Sequence, residues 1–309
     1  MTVLNVRDAN TGDFVPVDLS NPSGTIYVND GNTGEIIPVT LSSGAKGLTD
    51  YQNVVVVDPA GNGDYATLAA AMAAIADAAT GKRYAVYCFG LLTLAENTTI
   101  KAYCDLFGPG TIDPTASYTL TLAGNNNVRD LVLKNAQQLR SSTTTPTWFY
   151  DCEINIAVDG SWTNCYFALQ GCRLDGISRT LTIDGASQIR LYHVTNRNNS
   201  GTRMTVSLAG TCQFEMHNSY IEGTLNIAAA TIVALRLSNS TFRQTSDPAL
   251  YITSASAPST VTALNCVFQG TGGAAVQCDS FTWSAAPFYN CVFNGTMTQF
   301  APDASSVNF

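Results

Sequence analysis

Apolar and polar positions along this chain follow a recurring order. A turn-forming residue is followed by a small, a variable and a large apolar position, and the motif returns about once every 20 to 26 residues. It occupies residues 105–108, 130–133, 151–154, 171–174, 218–221, 239–242, 265–268 and 290–293, and a weaker copy at 193–196 fills the widest gap. A period of this size predicts a repeat architecture, in which each unit buries its apolar side against the next. Side chains alternate between the two faces of a strand, so Cys152 and Ile154 point inward and Glu153 outward. Aligned on the opening residue, the copies give two inward columns. One runs Cys152, Cys172, Val194, Ser219, Ser240, Cys266, Cys291. The other runs Ile154, Leu174, Asn196, Ile221, Phe242, Phe268, Phe293, and ends in an expected stack of three phenylalanines. The opening column is Asp151, Gly171, His193, Asn218, Asn239, Asn265 and Asn290. Asparagine tolerates left-handed backbone, and its amide can bridge to the next coil.

A second set of alternating segments lies between the motifs, at 118–123, 180–184, 204–209, 224–228, 250–254 and 274–278. Each coil therefore holds at least two strands, with room for a third and no helix inside it. The fold class is all-β, a parallel β-helix solenoid.

The front of the chain carries a different repeat, in which residues 4–20 match residues 26–42. Each copy alternates apolar residues on both sides of a tight turn, at Asn10, Thr11 and Gly12 or at Asn32, Thr33 and Gly34, which is the pattern of a β-hairpin. Two bare hairpins are marginal alone in water. Residues 1–43 are therefore a candidate attachment module that needs a partner, with Val6, Phe14, Val28 and Ile36 as its apolar contacts. Residues 44–80 hold a linker, an entry strand at 53–57 and a short alanine-rich helix. Thr67 is its N-cap, and Leu68, Met72 and Ile75 share one face. A helix here covers the open core and unpaired edges of the first coil. Residues 81–309 form the β-helix itself.

Residues 58–75, with Gly63, Asp64, Tyr65 and Thr67 leading into the helix, resemble the entry segment of pectin-lyase-like right-handed parallel β-helices. The likeness covers 54–75, and the repeats extend it loosely to Phe293. Many such proteins are carbohydrate lyases or esterases, and many others are phage tailspikes, fibres and virion decorations. The hairpin repeats at the front are similar to the second group. That resemblance implies a homo-oligomer, a trimer.

Composition narrows the chemistry. Charged residues make up 12% of the chain and the formal net charge is −8, which disfavours an electrostatic nucleic-acid binder. No apolar run approaches about 18 residues, so no membrane-spanning helix is expected. The first residues lack the apolar core of a signal peptide, which suggests synthesis in a host cytoplasm. Nine cysteines and two histidines show no metal-ligand spacing, and no cofactor fingerprint is present, so neither metal nor cofactor is expected. Cys152, Cys172, Cys266 and Cys291 share one column, which reads as a ladder of buried thiols or as a disulfide between adjacent coils.

The outward column reads Glu153, Arg173, Thr195, Tyr220, Thr241, Val267, Val292. Its two charged members fall on adjacent coils. Read as chemistry, Glu153 and Arg173 are an acid/base pair with Asp175 and Asp184 nearby. Read as structure, they are a surface ion pair worth less than about 1 kcal/mol. A carboxylate neutralised by arginine is a poor base, because its pKa falls. The paired aspartates that the sugar-cleaving members of the family use, or an acidic calcium cluster, have no counterpart here. Trp148, Tyr150 and Trp162 form an aromatic-rich stretch that reads as a glycan- or partner-contact site, or as packing.

The function expected from these features is a non-enzymatic structural protein on the surface of a phage particle, either a capsid decoration or a short tail spike or fibre. Residues 1–42 would dock on other virion proteins, and the β-helix would project and bind host surface glycans. The alternative is a carbohydrate-active enzyme, a tailspike depolymerase or a pectin-lyase-like lyase or hydrolase, using Glu153, Asp175 or Asp184 with Arg173 or Arg190.

Overall fold

The computed structural model describes residues 3–7, 14–18, 24–29, 36–41, 53–115, 117–176, 179–196, 204–227, 234–244, 248–252, 261–278, 288–298 and 307–308. Two compact units divide the chain, Met1–Gln52 and Asn53–Phe309.

In the first unit Val3–Arg7 pairs antiparallel with Phe14–Asp18, and Gly24–Asn29 pairs antiparallel with Ile36–Leu41. These are the two hairpins that the alternation predicts. Val6 stands opposite Val15, Phe14 opposite Arg7, Val28 opposite Ile37 and Ile36 opposite Asn29. The turns at 10–12 and 32–34, the linker at 42–47 and the side chains of the four contact residues lie outside the described residues.

The second unit is a parallel β-solenoid with three strand tracks. One sheet has twelve parallel strands, from Asn53–Val57 and Tyr84–Cys88 to Phe288–Tyr289 and Val307–Asn308. A fourteen-stranded sheet carries the repeat motif, with Glu153–Asn155, Arg173–Asp175 and Thr195–Asn196 as successive neighbours. The third track starts as a separate sheet of Thr98–Ile100, Leu120–Leu122 and Leu139–Ser141. Later strands of that track, Gly160–Thr163, Thr180–Asp184 and Met204–Leu208, belong to the fourteen-stranded sheet. The two tracks fuse at Tyr220–Ile227, whose first half pairs with Thr195–Asn196 and whose second half pairs with Met204–Leu208. Gly223 marks the junction, because a Cβ there would sit 2.0 Å from the Met204 carbonyl oxygen.

The predicted columns stand in register. Cys152, Cys172, Val194, Ser219, Ser240, Cys266 and Cys291 are all buried, and so are Ile154, Leu174, Asn196, Ile221, Phe242 and Phe268. Phe242 and Phe268 stack at 5.3 Å with 6° between planes, and Phe268 and Phe293 at 5.5 Å with 10°. The opening residues Asp151, His193, Asn218, Asn239, Asn265 and Asn290 have φ between 48° and 54°. Their amides bridge coils as expected: Asn265 Nδ2 donates to Asn239 Oδ1 at 3.1 Å, and Asn290 Nδ2 to Asn265 Oδ1 at 2.8 Å.

One motif placement fails. Asp105, Leu106 and Phe107 lie in Cys104–Phe107, a strand of the twelve-stranded sheet. The strand in register with Val132–Leu133 is Thr111–Asp113. Two adjacent tracks share the same alternation, so the pattern alone did not separate them. The carboxylate of Asp105 is fully buried and gripped by Arg83, whose Nη2 lies 2.6 Å from Oδ1.

The entry helix, α1 (Leu68–Ala74), begins where the N-cap predicts. Thr67 Oγ1 accepts a hydrogen bond from the Ala70 backbone N–H at 3.2 Å. Leu68, Ala71 and Met72 are buried beneath it, and Lys101 Nζ donates to the Ile75 carbonyl at its end.

Candidate functional site

The outer face of the twelve-stranded sheet concentrates unusual side chains. Thr147–Tyr150, Tyr166–Gln170, Gln188–Tyr192, Gln213–His217 and Ala234–Ser238 lie side by side. Phe149, Leu169, Leu191, Met216 and Leu237 point into the core and anchor each strand. The alternate positions therefore face out. One outward column reads Tyr150, Gln170, Tyr192, His217, Ser238, and its neighbour reads Trp148, Ala168, Arg190, Glu215, Arg236.

The aromatic members form one continuous stripe. Trp148 stacks with Tyr150 at 5.9 Å and 15°, and with Tyr192 at 6.3 Å and 17°. Tyr192 stacks with His217 at 5.3 Å and 11°. The Trp148–Tyr192 contact crosses an intervening strand, and the small Ala168 at that crossing makes room for it; Ala168 is itself completely covered. The guanidinium of Arg129 lies 4.0 Å from the Tyr150 ring centroid, within cation–π range. His217 Nδ1 and Ser238 Oγ share a hydrogen bond of 2.6 Å.

Beside the stripe runs a charged ladder. Glu215 sits between Arg190, whose Nε lies 3.1 Å from Oε2, and Arg236, whose Nη1 lies 2.7 Å from Oε1. Both oxygens of this nearly buried carboxylate are thus engaged by guanidinium groups. Arg190 also covers the Tyr166 ring at 5.2 Å. A surface of this kind can hold apolar faces against its rings and hydrogen-bond hydroxyls at its edges. As a proton acceptor Glu215 is a poor choice, since both of its oxygens are already occupied by guanidinium groups.

Of the predicted contact residues, Trp148 and Tyr150 belong to this stripe and are half-buried. Trp162 does not. It is 1% exposed, donates Nε1–H to the Ala136 carbonyl at 2.9 Å and meets Phe167 edge-on. It occupies an inward position of the third track, so a ligand outside the coil cannot reach it. Tyr192 and His217 were missed. Their signal lay in the position just before each opening turn residue, which reads Tyr150, Gln170, Tyr192, His217, Ser238.

The candidate acid/base residues do not converge. Glu153 and Arg173 are register neighbours, as the repeats predict. Arg173 nevertheless pairs with Asp175, Nη2 to Oδ2 at 2.6 Å, two residues along its own strand on the same face. Glu153 Oε1 instead accepts from Asn155 Nδ2 at 3.0 Å. The expected Glu153–Arg173 ion pair is absent among the described residues. Asp184 lies on the third track, where its Oδ1 accepts from the Gly185 N–H at 2.6 Å. Among the described residues no group of three or more His, Cys, Asp or Glu side chains stands where it could share a metal ion.

The cysteine column holds thiols rather than disulfides: Cys152, Cys172, Cys266 and Cys291 are free and buried. Burial pushes Cys88 and Cys165 up to about 12, and Cys104 and Cys212 up to about 11. A hydrogen bond with Cys172, and then burial, raises Cys152 as well. Cys88, Cys104, Cys165 and Cys212 are thus held protonated as inert packing groups, whereas hydrogen bonds from Cys152 and Cys266 lower Cys172 and Cys291.

No protein-family model matches the chain, and no curated protein matches it. Its class is defined by the fold, a parallel β-helix solenoid. Within that class it is an acidic chain with two antiparallel hairpins ahead of the coil and an aromatic stripe beside an Arg-Glu-Arg ladder.

Proposed function

We propose that this chain is a non-enzymatic structural protein on the surface of a phage particle, a capsid decoration or a short tail spike or fibre. Residues 1–42 attach it to other virion proteins, and the β-helix projects and contacts host surface glycans through the Trp148, Tyr150, Tyr192 and His217 stripe. The observation that carries this reading is the stripe itself: a recognition surface of stacked rings whose adjacent carboxylate is already held by two arginines. It is suited to binding and poorly suited to proton transfer. The likeness of residues 58–75 to the entry of pectin-lyase-like β-helices, together with the paired hairpins in front, supports the phage assignment over a free enzyme.

The test uses the full chain in particle assembly and adsorption. A Val6→Asp/Val28→Asp variant is expected to be lost from purified particles, while Trp148→Ala is incorporated normally and adsorbs to host glycans at least about tenfold more weakly, as expected for removing a central ring. Absence of the unmodified chain from particles would sink the reading. So would release of reducing ends from a polysaccharide panel that Glu153→Gln abolishes, which would establish the carbohydrate-active enzyme instead.

A further inference from the structure

The last coils differ in surface chemistry from the rest of the solenoid. All fifteen lysines and arginines lie at or before Arg243, and beyond it the only charged side chains are Asp247, Asp279 and Asp303. The corner of the coil changes character at the same point. The two positions flanking the turn are Ser238 and Thr241 in one coil, Leu264 and Val267 in the next, and Tyr289 and Val292 after that. Leu264 is 43% exposed, Tyr289 43% and Val292 51%. Between the two apolar rows stand the exposed Asn265 and Asn290, joined by their amides. The result is a patch of Leu264, Tyr289, Val267 and Val292 around a neutral amide ladder. Contiguous exposed apolar surface of this kind marks an interaction site.

We infer that this corner is the surface through which two copies of the chain associate. The argument for a second copy is electrostatic. Each chain carries a formal net charge of −8, so two copies repel wherever their charged coils face one another. The charge-free corner is where like-charged chains approach at least cost. A nucleic acid or an anionic membrane would need the cations this region lacks. A cationic partner would be drawn to the acidic coils instead. The patch is also self-complementary: apolar side chains meet apolar side chains, and an amide both donates and accepts, so one patch can satisfy its twin across a two-fold axis. This inference does not depend on the phage or glycan reading.

Sedimentation velocity on the full chain, from about 1 to 100 µM to bracket a micromolar dissociation constant, tests it. The unmodified chain is expected to self-associate, and more strongly at higher salt as repulsion is screened. A Leu264→Lys/Val292→Lys variant is expected to associate at least about tenfold more weakly, because like charges then meet in the contact. Thr195→Lys, an exposed position of the same outward column three coils before Val267, serves as the control and should leave association unchanged. The milder pair Leu264→Ser/Val292→Thr, checked for an unaltered circular dichroism spectrum, guards against loss of fold. A Val292→Cys chain should cross-link to its twin with a bismaleimide, and Thr241→Cys should not. A monomer throughout the range, unchanged association in both Leu264/Val292 variants, or equal cross-linking from both positions would overturn the inference.

Discussion

Asn196 is the residue whose environment fits it least. Its column neighbours are Leu174 and Ile221, it is fully buried, and neither Nδ2 nor Oδ1 has a hydrogen-bond partner among the described residues. A buried amide left unpaired costs about 1–3 kcal/mol. Asn196→Leu, which keeps the same branched heavy-atom skeleton without polar atoms and matches its neighbours, should therefore stabilise the fold by about that amount, read as a raised urea midpoint. An unchanged or lowered midpoint would mean that a water or other partner satisfies the amide. The buried thiols make a second prediction at this scale. Unfolded, these cysteines titrate near 9; folded, Cys88 and Cys165 titrate at about 12, and Cys104 and Cys212 at about 11. Between those limits the unfolded chain has lost protons that the folded chain keeps, so the stability these four thiols contribute is complete below pH 9 and falls as pH rises above it. The slope is about 1.4 kcal/mol per pH unit for each such thiol. Urea midpoints measured from pH 7.5 to 11 should decline from about pH 9, and Cys88→Ala should make the decline shallower. A flat profile would contradict the burial assigned to these groups.

Among the elements, the repeat-bearing sheet was the most legible from the chain, because its opening residue, small position and large apolar position recur together. The Phe242, Phe268 and Phe293 stack and the asparagine ladder follow from that pattern alone. Phe268 is the middle ring, in contact with Phe242, Phe293 and Phe288. Phe268→Ala should cost about 3–5 kcal/mol, measured by chemical denaturation, since it opens a cavity between two coils; a loss below about 1 kcal/mol would show that the stack contributes little. The twelve-stranded sheet was harder to see. Its inward column runs Val86, Leu106, Val128, Phe149, Leu169, Leu191, Met216, and no fixed residue type opens its strands. That is why residues 105–108 were assigned to the wrong track. The aromatic stripe was half legible for the same reason. Trp148 and Tyr150 stand out as neighbours in sequence, but Tyr192 and His217 join them only through strand register. Trp162 was drawn into the group by sequence proximity, although the chain turns between Tyr150 and Trp162 and sends the indole inward.

On the largest scale, charge is unevenly distributed along the solenoid unit. Helix α1 covers the first coil, ion pairs occupy the outer faces of the middle coils, and the last coils are nearly free of charge. The proposed glycan contact and the inferred self-association thus fall on different stretches of the solenoid, so a change at Trp148 should leave association intact and a change at Leu264 should leave glycan contact intact.

The pairing of each strand with the one a coil above has a mechanical corollary. Hydrogen bonds between parallel strands run along the solenoid, in the direction in which the coils succeed one another. A load drawn along that direction bears on one rung at a time, so the solenoid should yield turn by turn from one end, losing one loop of backbone at each step while the remaining turns keep their form.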